Sequence, residues 1–331
     1  MENLKMDKPF KTIDEQLNIL KSRGICFDND QEAKKYLLIN NYYNVVNCYG
    51  RFLKDYSSPL DCYLNGANFL EIVSIHQFDS QFKSSFLKSI LCIENMFKSV
   101  LSYEFSKAYK SEINPYQIQT NYKQDNLNKV VKLQADLGKI ISKYSNLPND
   151  NSIKHYLKKH KNLPLWVLSD YMTFGQATTM YSLVSNNIRN CIAQDLGTIA
   201  STNQYQGNSQ VIRLSPKNID VIFGNFKDMR NLLAHDNMIF DEKFRTGFPY
   251  FKEIHNRFNI PADTAKQSVY DAFIMMRMFL TERQFAIVYN TALGAAKRLN
   301  NKLKVANTSA ILLSIGFPSN FCSEERIKQP E

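Results

Sequence analysis

The sequence predicts an all-α protein, and three observations carry that prediction. Only 11 glycines and 10 prolines interrupt 331 residues, so breakers are sparse enough for long helices. Apolar residues recur at steps of three and four through most of the chain, the spacing that lines them up on one helical face. Nowhere is a strand-like alternation of apolar and polar residues sustained across a turn. With 44% hydrophobic residues the chain can bury a large core, and its length suits one or two domains.

Thr12 and Glu15 form a capping box that opens a first helix, with Ile13, Leu17 and Leu20 on its apolar side and Gly24 as its stop. Two short helices are expected over 30–39 and 42–54, the second carrying Tyr42, Tyr43 and Tyr49. Those tyrosines could stack on bases, but aromatics at helical spacing are read as core. Ser57-Ser58-Pro59-Leu60 marks a connection. Over 66–109 a long periodic run (Phe78, Phe82, Phe86, Ile90, Ile93, Phe97, Val100, Leu101) predicts one or two buried helices. Glu94 and Lys98, four apart, are expected to pair as an ordinary surface salt bridge worth a few tenths of a kcal/mol.

The polar segment 112–125, with Asn114-Pro115, is expected to be a loop; a helix should follow over 126–144, then Leu147-Pro148-Asn149-Asp150, and an insertion that is mobile or touches substrate is expected there. Residues 166–184 read as helical apart from Gly175, 201–209 as a polar loop, and 262–301 as a long helical pair. Between these, Ser215 and Pro216 give a hydroxyl N-cap and a proline at the first helical position. Ile219, Ile222, Phe226, Met229 and Leu233 then define a buried stripe.

That last helix carries the most informative motif, Arg230-Asn231-Leu232-Leu233-Ala234-His235. Arginine offers a permanently charged planar fork to a phosphate, and histidine gives and takes protons near neutral pH. At about 100° per residue, Asp228, Asn231 and His235 fall on one face away from the apolar stripe, and Arg230 sits at the stripe's edge. If the helix persists through His235, the trio faces solvent or a second surface. Asp228 could orient the imidazole or hold Arg230, and Glu94 could reach the same site.

The formal net charge of +10 suits a polyanionic partner, since Lys and Arg contacts to phosphates release counterions. Two clusters stand out: Lys154, Lys158, Lys159 and Lys161, with His155 and His160 between them, and Lys297 and Arg298, with Lys302 and Lys304. Each is weighed as an RNA contact or as a solvated helix face. Six scattered cysteines form neither a C-x-x-C pair nor a Cys/His cluster, so disulfides and structural zinc are not expected and the thiols read as small hydrophobes. No apolar run approaches the 18 or so residues of a membrane span, and residues 1–11 do not look like a secretory leader, so a cytoplasmic location is expected. The Walker, dinucleotide-binding, zincin and calcium-loop motifs are all missing from the sequence, and no cofactor or metal is called for.

The chain resembles the Abi-like (abortive infection) family, members of the HEPN superfamily of helical nucleases. Four segments carry the resemblance: Lys8-Pro9-Phe10 with residues 12–17 and 20–24; Asn41-Tyr42-Tyr43 with Tyr49; Pro164-Leu165-Trp166 with Phe174-Gly175; and Arg230 to His235, similar to the superfamily's Arg, four to six residues, His signature. Weaker echoes are Ile93-Glu94 and Gly316-Phe317-Pro318. Asp170 stands where the family usually has glutamate, and Asp236 where a second histidine often follows.

The resemblance implies a single HEPN-type helical bundle over 1–331, with an N-terminal helical subdomain at 1–60, a core at 66–300 and a tail at 301–331. It implies a metal-independent endoribonuclease acting as a toxin in abortive infection or a toxin–antitoxin system, with Arg230, Asn231 and His235 catalytic and Asp228 and Glu94 supporting. The alternative is a non-cleaving HEPN module that holds a structured small RNA. The partners implied are RNA, as substrate and as a structured antitoxin, and a second copy of the chain, because one histidine per chain leaves one acid/base group.

Overall fold

The computed structural model describes residues 10–203 and 211–328. Lys8 and Pro9 of the opening motif, and residues 204–209 of the expected polar loop, lie outside them. The described chain is helical, and its only extended pairing consists of isolated bridges at Cys26–Asn68, Lys54–Tyr63 and Tyr122–Val184. It divides into two compact units. The first comprises residues 10–85, 238–242 and 289–327; the second takes 86–203, 211–237, 243–288 and 328.

In the first unit, α1 (Ile13–Ser22) opens on the expected capping box, with Thr12 and Glu15 exchanging backbone and side-chain hydrogen bonds. Leu17 and Leu20 are buried, and Gly24 turns the chain at φ 98°. Helix α2 (Asp30–Asn40) follows. The stretch expected to be a regular helix over 42–54 instead forms a π turn at Tyr43–Asn47 and a 3₁₀ turn at Gly50–Leu53. Its tyrosines split: Tyr49 is buried, Tyr42 half-buried and Tyr43 exposed, so Tyr43 is not core.

Residues 66–109 form a single 40-residue helix, α3 (Phe69–Ala108), which contributes to both units. In the first unit it packs Ile72, Ile75, Phe78 and Phe82 into the core, with the Phe82 ring 5.3 Å from Phe317. Buried Glu71 accepts the backbone N–H groups of Val305 and Ala306 (3.1 and 2.9 Å). The Tyr49 hydroxyl donates to Asp79 (2.8 Å), which also pairs with Lys83 at 2.5 Å.

The second unit is built round the rest of α3. Helices α4 (Leu127–Asn146), α5 (Ser152–His160), α6 (Leu165–Leu168), α7 (Phe174–Leu183), α8 (Asn186–Thr202) and α9 (Pro216–Ala234) are followed by α10 (Lys252–His255), α11 (Val269–Met276) and the start of α12 (Glu282–Lys302). The remainder of α12 and α13 (Thr308–Ser314) belong to the first unit. An aromatic spine runs through the second core: Phe97 of α3 stacks on Phe223 of α9 at 4.3 Å, Phe86 lies 4.9 Å from Phe273, and Phe273 lies 5.4 Å from Phe285. These rings supply both burial and ring–ring attraction; the Phe97–Phe223 pair fixes α3 against α9, and Phe273 ties α3 to α11 and α12.

Several expectations need correction. The break within 166–184 falls at Met172–Thr173, where a new capping box between Thr173 and Gln176 starts α7; Gly175 lies inside that helix. The helical pair expected over 262–301 begins only at Val269, behind a Ser268–Asp271 capping box. Segment 112–125 is a chain of 3₁₀ turns tied down by its buried tyrosines, the Tyr122 hydroxyl donating to the Tyr116 carbonyl at 2.8 Å. None of the six cysteines is buried: Cys26, Cys92 and Cys191 are exposed and the other three half-buried, so packing does not explain them.

Candidate functional site

The site is built on α9. The Ser215 hydroxyl accepts the Asn218 N–H at 3.2 Å, and Pro216 needs no partner for a missing N–H, so the start is satisfied as expected. Ile219, Ile222, Phe226, Met229 and Leu233 are all buried, joined by Phe223 and Asn225. The helix stops at Ala234, with His235 as its C-cap. Asp236 adopts the left-handed conformation at φ 54°. Its N–H donates to the Leu233 carbonyl, and the Asn237 N–H to that of Leu232. This is a Schellman ending, and its left-handed position favours Gly, Asn or Asp over branched residues.

Asp228, Asn231 and His235 are exposed, as the helical wheel predicts. Asp228 pairs with its neighbour Lys227 at 2.9 Å. Arg230, at the edge of the buried stripe, keeps 31% of its side chain exposed and points its Nε at the Glu94 carboxylate of α3, 3.6 Å away. Its Nη1 lies 3.5 Å from the Asn231 amide oxygen. The stack of Phe97 on Phe223 brings the helices together here, and an arginine side chain leans back along its own helix, which lets it reach across.

Glu94 is not the surface residue expected from its spacing to Lys98. The pair closes to 2.6 Å, but the side chains are only 5% and 8% exposed. The i,i+4 rule predicts the pairing correctly; it cannot know that the second unit covers this face of α3. Glu94 thus shares one carboxylate between a buried ammonium and a half-buried guanidinium, and the three groups together keep a net positive charge. Among the described residues, neither Nε of Arg230 nor Oε2 of Glu94 finds a hydrogen-bond partner. Lys98, read from sequence only as a salt-bridge partner, is a structural member of the site.

The basic clusters divide. On α5, Lys154 donates to the Leu147 and Pro148 carbonyls and so ties the preceding loop, whereas Lys158, Lys159 and Lys161 are exposed. Lys161 is the left-handed C-cap of that helix. These residues share the second unit with Arg230. Lys297 and Arg298 belong to the first unit, where they donate to the Glu324 carbonyl (2.9 Å) and the Gln81 side chain (2.8 Å) while remaining exposed. Among the described residues, no group of three or more His, Cys, Asp or Glu is placed to hold a metal ion, and no helix is long and apolar enough to cross a membrane.

A family model described as "Abi-like protein" matches residues 35–241, a span that includes Glu94, Lys98 and the whole of Arg230 to His235. No curated protein and no solved structure matches the chain.

Proposed function

The chain belongs to the Abi-like family of abortive-infection proteins, and we propose that it is a metal-independent endoribonuclease that cuts RNA at Arg230, Asn231 and His235, serving as a toxin in phage defence or in a toxin–antitoxin pair. The observation that carries this reading is the orientation of Arg230. Its Nε edge faces buried Glu94, so the guanidinium is held from behind and its Nη end lies by exposed Asn231, one turn from exposed His235. Preorganised cations of this kind stabilise charge that develops in a transition state without having to reorganise.

In the reaction, the substrate's 2′-oxygen bonds to the adjacent phosphorus and the bond from phosphorus to the 5′-oxygen breaks. The 2′-hydroxyl proton passes to a base and a proton is delivered to the leaving 5′-oxygen. The products are a 2′,3′-cyclic phosphate and a 5′-hydroxyl. DNA lacks the 2′-hydroxyl and is not cut. His235 moves one of these protons, a role typically worth about 10²–10⁴-fold. Arg230 neutralises the non-bridging oxygens, and Asn231 fixes the phosphate or the imidazole by hydrogen bonding. The second proton transfer falls to His235 of a second copy, so the active form is a homodimer.

The test is incubation of wild type and His235→Ala with mixed single-stranded RNA in EDTA, followed by end-group analysis. Cyclic phosphate ends from wild type alone are expected. RNA that stays intact with both proteins, yet binds both, would replace this reading with that of a non-cleaving module holding a structured RNA.

A further inference from the structure

Trp166 is the chain's sole tryptophan, and its side chain is left outside the core. The other three residues of α6, Leu165, Val167 and Leu168, are buried, so the backbone here is fixed while the indole stays 54% exposed. Facing the same hollow is Tyr103 of α3, 62% exposed. The hollow, about 400 Å³, lies wholly within the second unit, and its walls are completed by Ser99, Ser102, Ser106 and Lys107. Two exposed aromatics in one concavity are a costly arrangement for a surface that binds nothing.

We infer that this hollow is a nucleobase-stacking subsite for single-stranded RNA, in which Trp166 and Tyr103 take a base and Lys107 meets the backbone beside it. The inference rests on the nuclease reading of Arg230 and His235 and extends it to how substrate is held. Two features favour a base over an apolar peptide or a second copy of the chain. The aromatic walls alternate with exposed Ser99 and half-buried Ser106, whose hydroxyls can hydrogen-bond a base edge but would be left poorly paired under a hydrophobic side chain; buried Ser102 already donates to the Ser99 carbonyl at 3.0 Å. A cation stands at the wall: the Lys107 ammonium lies 5.5 Å from the Tyr103 ring centre and is paired with Glu104 at 2.9 Å. Stacking with cationic support is how single strands are gripped without regard to sequence.

Position supports the same occupant. Ser102 follows Lys98 by one turn of α3 and Glu94 by two, which is about 12 Å along the helix at about 1.5 Å per residue. The hollow's wall on α3 thus starts about two helical turns from the carboxylate that faces Arg230.

The sole tryptophan makes the test direct. Full-length His235→Ala protein is titrated with a short end-labelled single-stranded RNA, following label anisotropy for binding and Trp166 fluorescence for stacking. Saturable quenching that tracks the anisotropy is expected, with little quenching by a duplex of the same sequence. Tyr103→Ala and Trp166→Ala should each weaken binding about 5- to 150-fold, the effect of losing one stacked base, with Trp166→Phe restoring most of it. Binding without any fluorescence change overturns the subsite and leaves the nuclease reading standing. A concentration-dependent blue shift of Trp166 without RNA also overturns it, because a second copy of the chain would then cover the hollow. Absence of all RNA binding removes the nuclease reading and this inference with it.

Discussion

The carboxylate of Glu94 on α3 lies 3.6 Å from Nε of Arg230 on α9, across 136 residues of sequence, and it is held there by Lys98 at 2.6 Å. A carboxylate this buried orients the guanidinium from the inside, and in the proposed nuclease the outward end is the one that would meet a phosphate. The relation ties the stability of the second unit to the competence of the site.

Glu94→Ala strands the Lys98 ammonium in the core. Breaking one side of a buried ion pair typically costs about 3–5 kcal/mol, and a urea titration of Glu94→Ala should show a loss of that order. The double variant Glu94→Leu/Lys98→Leu should recover most of the stability yet leave RNA cleavage impaired, because Arg230 loses its anchor. Full cleavage by a stably folded double variant would show that Glu94 has no positioning role.

Arg230→Lys keeps the charge but loses the planar fork, so it is not a conservative change here. Removal of one transition-state donor typically lowers kcat about 10²–10³-fold. Arg230→Lys should fall in that range with a much smaller change in KM, measured on a defined single-stranded RNA. A rise in KM with kcat intact would instead make Arg230 a ground-state phosphate contact.

His255 sets a pH limit on the second unit. Its ring is fully buried, with Nδ1 2.9 Å from the Phe251 carbonyl. Burial, and to a lesser degree the Lys266 ammonium, hold its pKa below the ordinary 6.5 despite opposing effects of the Phe251 hydrogen bond and Asp271. The unfolded chain therefore takes up a proton at pH values where folded His255 is still neutral. Stability from this group is complete above pH 6.5 and is lost as pH falls from there through the folded value. Urea midpoints from about pH 7.5 down to about pH 5 should decline for wild type and decline less for His255→Gln. Parallel declines would place the acid sensitivity elsewhere.

Ser215→Ala removes the hydroxyl that caps α9, at a cost of about 1 kcal/mol. Since the cap lies at the far end of α9 from His235, thermal unfolding should shift downward while kcat on RNA stays unchanged at temperatures where the variant is folded. A matching loss of kcat would mean that fraying at Ser215 is transmitted along the helix.

What the sequence determined by itself was local. The capping box at Thr12, the N-cap at Ser215, the buried stripe from Ile219 to Leu233 and the outward face of Asp228, Asn231 and His235 all depend on neighbours within about two turns, which cap chemistry and helical periodicity encode. The break at Met172–Thr173 was legible in principle from the Thr173–Gln176 capping box, although Gly175 is the more conspicuous signal. The Arg230 to His235 motif could be found, and the family named, from the same short-range text. Only the tertiary structure decided the burial of Glu94 and Lys98, the approach of Glu94 to Arg230, the exposure of Trp166 and Tyr103 and the openness of the cysteines. The meeting of Glu94 with Arg230 depends on the packing in which Phe97 stacks on Phe223, a contact between residues 126 apart in the chain. An i,i+4 pair reads the same whether it faces water or a core, because spacing encodes direction round a helix and not what covers that direction.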